Sequence, residues 1–118
     1  MTIPKRVLVA DQDEGVRSFI ATILTQAGYD TERCGNERQV LEAFDPGVHG
    51  LLILEEEMFD LASAGFQELR ARDPQVPIVL LYNGPGPSGP VQDQINVERV
   101  TKPFAPVMLI EAMKRLLS

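Results

Sequence analysis

The sequence predicts an α/β domain in which five strands alternate with helices around a parallel sheet. Short apolar runs recur along the chain, helical patterns separate most of them, and 118 residues are the length of one domain, which we take as 1–118. Parallel strands of one sheet are joined by right-handed crossovers, which place helices against the sheet. We therefore expect a doubly wound (βα)5 sheet with helices on both faces.

Strand-like composition is found in five segments, at 6–10, 29–34, 51–54, 77–82 and 98–101. The run from Leu51 to Leu54 is entirely apolar, which is typical of a strand buried on both faces. It continues directly into Glu55, Glu56 and Glu57, although carboxylates packed side by side repel one another. The cluster is either solvated surface or the mark of a site that favours negative charge.

Helical periodicity is clearest after the first strand. The spacing i, i+3, i+4, i+7, i+8, i+11 is met by Val16, Phe19, Ile20, Ile23, Leu24 and Ala27, which predicts one inward face. Asp13 is the predicted N-cap of this helix and Gly28 its C-terminal stop. Further helices are predicted over 37–44, 63–71 and 106–117, the last with Pro106 in its first turn.

The segment GPGPSGP at 84–90 interrupts this alternation. Proline lacks the backbone N–H that a helix needs, and glycine disfavours helical structure. We predict a flexible loop here, so that the fourth helix is missing or reduced to a short turn within 90–95.

Composition excludes several classes of function. The net charge is −6, with 17 acidic and 11 basic residues, which argues against nucleic-acid binding by this domain. Neither a membrane-spanning run nor a signal-peptide pattern is evident, and one cysteine, Cys34, suits a reducing cytoplasm. We expect Cys34 to be a buried apolar residue and the lone histidine, His49, to lie at the surface or in a turn.

Polar side chains follow the predicted strands, where sites form in doubly wound sheets. They are Asp11 and Gln12 after the first strand, Glu55 after the third, Tyr82 after the fourth and Lys102 after the fifth. The stretches around two of these strand ends, VLVADQDEGVR (7–17) and VTKPF (100–104), resemble the response-regulator receiver family of two-component signalling. The likeness spans nearly the whole chain.

The resemblance implies a flavodoxin-like fold with strand order 2-1-3-4-5. Members of this family hold Mg²⁺ with two adjacent acidic residues after the first strand and accept a phosphoryl group on an aspartate after the third. A conserved family lysine then pairs with the phosphoryl group and is followed by proline, often through a cis bond. Asp11 and Lys102 match this pattern, and Pro103 is the candidate cis-proline.

Four positions depart from the family pattern. Gln12 stands in the place of the second acid, Tyr82 in that of a small hydroxyl residue and Arg99 in that of a switching aromatic residue. Glu55 occupies the phosphoacceptor position if the strand length fixes the register, whereas the usual spacing back from Gly65 selects Glu57 instead.

These departures predict little or no phosphotransfer. Glutamate carries its carboxylate about 1.5 Å further out than aspartate, and a displacement of about 1 Å can cost roughly a hundredfold in a positioned reaction. We therefore expect no enzymatic activity, no cofactor and at most weak Mg²⁺ binding, with no metal held tightly. Glu55 is expected to reach toward Lys102, Glu56 and Glu57 to be solvated, and Arg99 to be solvated or paired with a nearby acid.

The resemblance implies partners that are signalling proteins: a histidine kinase, an output domain or another regulator, with a homodimer formed through the helix at 106–117. Two alternatives stay open. One is a working receiver that is phosphorylated at the third-strand carboxylate. The other is a small flavodoxin-like ligand-binding protein or enzyme that uses the same strand-end crevice.

Overall fold

Six strands and four helices make up residues 6–118, the part of the chain that the structure, a computed structural model, describes. In chain order they are β1 (Val7–Ala10), α1 (Glu14–Gln26), β2 (Thr31–Cys34), α2 (Glu37–Ala43), β3 (Leu51–Glu55), α3 (Ala64–Arg72), β4 (Ile78–Asn83), β5 (Gly89–Pro90), β6 (Val97–Lys102) and α4 (Pro106–Leu117). None of these helices is long and apolar enough to cross a membrane.

The sheet has the order β2-β1-β3-β4-β6-β5. The strands β2, β1, β3, β4 and β6 run parallel to one another. Since β6 corresponds to the fifth strand predicted from the sequence, the expected order 2-1-3-4-5 is confirmed. The two-residue strand β5 was not predicted and pairs antiparallel with β6 at the edge of the sheet. The carboxyl ends of all five parallel strands therefore lie along one edge.

Two hydrophobic layers cover the faces of the sheet. Leu52 and Leu54 of β3 pack in the layer formed with α2 and α3, whereas Leu51 and Ile53 pack in the layer formed with α1 and α4. Side chains alternate between the faces of a strand, so a strand covered on both sides must be apolar at every position. This explains the uninterrupted apolar run that the sequence shows.

The ends of α1 are fixed as predicted. The Asp13 side chain accepts a hydrogen bond from the Val16 N–H, as an N-cap residue does. Gly28 follows the helix with φ at +93°, a left-handed conformation that an L-residue adopts only at a cost. Both residues therefore set the length of the helix from local chemistry alone.

Several predictions about burial are wrong. Ala27, expected on the inward face of α1, is exposed because it lies beyond the last helical residue, Gln26. Phe19 was expected to face inward but is 46% exposed and rests beside the ring of Phe104, with centroids 6.0 Å apart. His49 was expected at the surface or in a turn; it lies next to a turn but is only 2% exposed. Its Nδ1 accepts the Asp45 N–H at 3.1 Å, so Nε2 carries the proton that it donates to Glu32 Oε1 at 3.0 Å. These two hydrogen bonds satisfy the ring and allow its burial.

The predicted loss of the fourth helix is confirmed, because residues 84–96 contain no helix. The segment is not the free loop that was expected, since several bonds tie it to β6. The Thr101 N–H donates to Ser88 Oγ at 2.9 Å, and the Val91 N–H donates to the Val97 carbonyl at 2.9 Å. Glycine and proline here support an extended path along the edge strand in place of a helix.

Candidate functional site

Three strands bring an acid, a second acid and a lysine together at the carboxyl edge of the sheet. Asp11 follows β1, Glu55 ends β3 and Lys102 ends β6. Lys102 Nζ lies 2.8 Å from Asp11 Oδ2 and 3.5 Å from Glu55 Oε2. Because the sheet is parallel and β1, β3, β4 and β6 are successive neighbours, residues far apart in sequence meet at this edge.

Burial strengthens the interactions among the charges of this cluster. Asp11 is completely buried, Glu55 is 7% exposed, and the Lys102 side chain is 15% exposed. Burial acts to lower the pKa of Lys102, but the hydrogen bond to Asp11 and the charges of Asp11 and Glu55 outweigh it, so the pKa is raised. Lys102 is therefore a fixed cation that both carboxylates already share.

The two candidate phosphoacceptor-equivalent glutamates lie in different environments. Glu55 is the last residue of β3, and its Oε1 accepts the backbone N–H of Gln12 at 3.1 Å. Glu57 lies two residues beyond the strand and is exposed. The structure thus brings Glu55 together with Asp11 and Lys102, whereas Glu57 points to solvent in the turn that follows.

The acidic side chains at this edge already have partners within the chain. Asp11 Oδ1 accepts the Asp13 N–H at 2.9 Å, and its Oδ2 is occupied by Lys102. Gln12, at the position of a second acid, is exposed and takes part through its backbone. Within residues 6–118, no group of three or more His, Cys, Asp or Glu side chains is arranged to hold a metal ion. Both oxygens of Asp11 therefore already have a partner within the domain.

The other two predicted site positions, Tyr82 and Arg99, contact each other. The Arg99 guanidinium carbon lies 5.2 Å from the centroid of the Tyr82 ring, within range of a cation–π interaction. Arg99 also donates to both oxygens of Glu56, from Nε at 2.8 Å and from Nη2 at 3.0 Å. The hydrogen bond to Glu56 raises the pKa of Arg99, which stays charged.

Sequence reasoning missed the role of Glu56, which was expected to be solvated. Its side chain is only 17% exposed because of the pair with Arg99. The alternation of side chains along β3 carried the signal. Continued one residue past the end of the strand, it places Glu56 on the same face as Leu52 and Leu54, and Glu55 on the other face. Arg99 has the same parity as Val97, which packs in that layer too. Of the two states expected for Arg99, solvated or paired with a nearby acid, the structure has the second.

A second ion pair was also missed, on the opposite face of β6. Glu98 is 5% exposed, and Arg115 of α4 donates to it from Nε at 3.0 Å and from Nη2 at 2.7 Å. This pair joins α4 to the strand that carries Lys102. The peptide bond between Lys102 and Pro103 is cis, and it leads the chain from the site toward α4.

Comparisons with known proteins place this geometry in context. No family model matches the chain. Response regulator RR06 of Streptococcus pneumoniae is 32% identical over 116 residues, an alignment that covers 94% of this chain and 52% of that protein. The chain therefore spans about half the length of the curated relative that it matches.

Solved structures of the same fold are numerous. The chemotaxis response regulator CheY4 of Vibrio cholerae superposes with a TM-score of 0.76 at 22% identity, covering 98% of this chain and 99% of that one. NtrX from Brucella abortus, in complex with ADP, superposes with a TM-score of 0.79 at 22% identity, covering 98% of this chain and 26% of that one. The response regulator StyR superposes with a TM-score of 0.75 at 26% identity, covering 95% of this chain and 58% of that one. The flavodoxin-like fold predicted from the sequence is confirmed.

Proposed function

We propose that the chain is a receiver domain of the response-regulator family, and that it is a two-component signalling module that works through protein contacts, with little or no phosphotransfer. One observation carries the proposal. Lys102, the lysine that would pair with a phosphoryl group, is shared by Asp11 at 2.8 Å and Glu55 at 3.5 Å. The negative charge that a phosphoryl group would bring to this lysine is supplied by the chain itself.

The chemistry of the strand ends supports the same proposal. Phosphoryl transfer depends on in-line positioning and on neutralising charge on the transferred oxygens. Glu55 is held by the Gln12 N–H and by Lys102, which orients its carboxylate toward the cluster. Gln12 offers a neutral side chain where a second acid would help to hold Mg²⁺. Weak Mg²⁺ binding and no other cofactor therefore belong to the proposal.

The proposed partners are signalling proteins: a histidine kinase, an output domain or another regulator. Nucleic acid is not among them, because the net charge of −6 repels phosphate groups overall. A homodimer through α4 is included because that helix exposes apolar side chains, among them Val107 at 58% and Met108 at 39%. Light scattering of the protein and of a Val107→Glu variant tests the dimer, and a monomer in both removes it from the proposal.

The experiment that tests phosphotransfer is incubation with acetyl phosphate and Mg²⁺, followed by mass spectrometry of the intact protein. We expect no gain of a phosphoryl group. The double variant Gln12→Asp, Glu55→Asp is the matched control, because it places the family's acids at both positions. Stoichiometric phosphorylation of the unmodified protein would overturn the proposal in favour of a working receiver.

A further inference from the structure

Tyr82 is contacted both by β6 and by the loop that replaces the fourth helix. Arg99 lies over its ring, and the loop backbone approaches it closely at two glycines. A Cβ placed on Gly86 would lie 3.3 Å from Tyr82 Cε2, and one placed on Gly84 would lie 3.5 Å from it. Gly84 also has φ at +148°, a conformation that favours glycine. The loop therefore passes over Tyr82 at a distance that leaves little room for side chains.

The same loop, residues 84–90, is bonded along β6; we call it the strap. Thr101 holds it twice, donating from its N–H to Ser88 Oγ and from its Oγ1 to the Gly86 carbonyl, each at 2.9 Å. Gly89 pairs with Arg99 in the antiparallel register of β5 and β6. The strap is thus fixed to the strand that carries Arg99, and it covers the ring that Arg99 contacts.

Glu56, the residue that follows β3, completes the arrangement. It receives both hydrogen bonds of Arg99 while only 17% of its side chain is exposed, and the Arg99 side chain is 28% exposed. Two parallel hydrogen bonds between a guanidinium and a carboxylate fix direction as well as distance. Partial exclusion of water strengthens such a pair relative to one on the open surface.

We infer that Glu56, Arg99, Tyr82 and the strap form one clamp, which replaces a helix on this face and holds the ends of β3, β4 and β6 in a single arrangement. Each part restrains another: Glu56 orients Arg99, Arg99 and the strap enclose Tyr82, and Thr101 ties the strap to β6. The inference deepens the proposed function, because a face held in one arrangement presents the same surface to partners at all times.

Hydrogen exchange of individual amides, followed by NMR, tests the clamp. Glu56→Gln keeps the shape of the side chain and removes its charge, and Glu57→Gln is the matched control on the exposed neighbour. Hydrogen bonds to charged groups are stronger than neutral ones, so Glu56→Gln should speed exchange of the Thr101 and Val91 amides by about tenfold or more. These two amides, of which the first bonds to the strap and the second adjoins it, are called the strap amides. The Val9 amide in β1 should be unaffected.

Two variants of Tyr82 separate the ring from its hydroxyl group. Tyr82→Phe keeps the contacts with Arg99 and Gly86 and should leave the Thr101 and Val91 amides protected. Tyr82→Ala removes the ring and should release both amides together, with β1 amides still protected. If Glu56→Gln and Tyr82→Ala leave strap exchange unchanged, the parts are independent and there is no clamp.

A further measurement separates the clamp from the proposed lack of phosphotransfer. Beryllofluoride with Mg²⁺ is added to the unmodified protein and to the Gln12→Asp, Glu55→Asp variant, and exchange of the strap amides is measured again. The clamp predicts unchanged exchange in both, even where mass spectrometry shows that the variant accepts a phosphoryl group. Faster or slower strap exchange on adding beryllofluoride would show that this face switches, which would overturn the inference.

Discussion

Replacing Lys102 by methionine should destabilise the domain substantially, because it leaves two carboxylates without their cation. Removing one partner of a buried ion pair costs about 3–5 kcal/mol, whereas exposed pairs contribute about 0.2–1 kcal/mol. Asp11 is fully buried and the Lys102 side chain is 15% exposed, so the lower end of the first range applies. We expect a loss of about 3 kcal/mol.

This loss of unfolding free energy corresponds to a decrease in the melting temperature, Tm. With 118 residues and about 2.1 cal/mol/K for each, the entropy of unfolding is about 250 cal/mol/K. A loss of about 3 kcal/mol therefore lowers Tm by about 12 °C. Calorimetry at neutral pH measures it, with Lys114→Met as the control, since Lys114 is exposed on α4. A Tm within about 2 °C of that control would refute the reasoning, because surface substitutions have effects of that size.

The pH dependence provides a second test of the same pair. The folded-state pKa of Lys102 is raised, so its contribution is fully present below the unfolded pKa and disappears as pH rises through the folded pKa. The difference in Tm between the wild type and Lys102→Met should therefore narrow above about pH 10.4, the ordinary pKa of lysine. A difference that stays constant through this range would show that the lysine charge does not contribute.

Three other predictions concern stability. Phe59→Ala removes a fully buried ring and should cost about 3–5 kcal/mol in denaturant unfolding; a loss below about 1 kcal/mol would contradict its place in the core. Gly28→Ala forces an L-residue to φ +93° and should cost about 1–2 kcal/mol although no atom crowds the position; an unchanged midpoint would contradict the left-handed turn. Burial raises the pKa of Cys34 from 9.0 to about 11, and because the fold favours the neutral thiol, stability should fall by about 2–3 kcal/mol between those pH values. Cys34→Ala should remove this part of the slope, and an identical slope in both proteins would show that the thiol does not contribute.

The sequence was informative wherever a structural feature depends on local pattern. The apolar run from Leu51 to Leu54 gave the central strand, the spacing after Asp13 gave α1, and glycine and proline at 84–90 gave the missing helix. The placement of Asp11, Glu55 and Lys102 at one edge of the sheet also followed, because the carboxyl ends of all parallel strands in a sheet share that edge.

Features that depend on distant pairs were not predictable in this way. Glu56 and Arg99 are 43 residues apart, and their contact requires the registers of β3, β4 and β6 to be known together. The burial of His49 depends on Glu32, which lies in β2, 17 residues earlier in the chain. A polar residue in a sequence carries no sign of whether such a partner exists, so the default of solvent exposure fails at these positions.

The opposite pairing of adjacent residues in β6 has a consequence for how the chain folds. Glu98 meets Arg115 on one face of the sheet, and Arg99 meets Glu56 on the other. If β6 joined the sheet one residue out of place, every side chain would change face. A slip in one direction would place Glu98 against the acid Glu56, and a slip in the other direction would place Arg99 against the base Arg115, so either slip replaces one attraction by a repulsion. The alternating charges of Glu98 and Arg99 thus disfavour pairing of β6 one residue out of register in either direction.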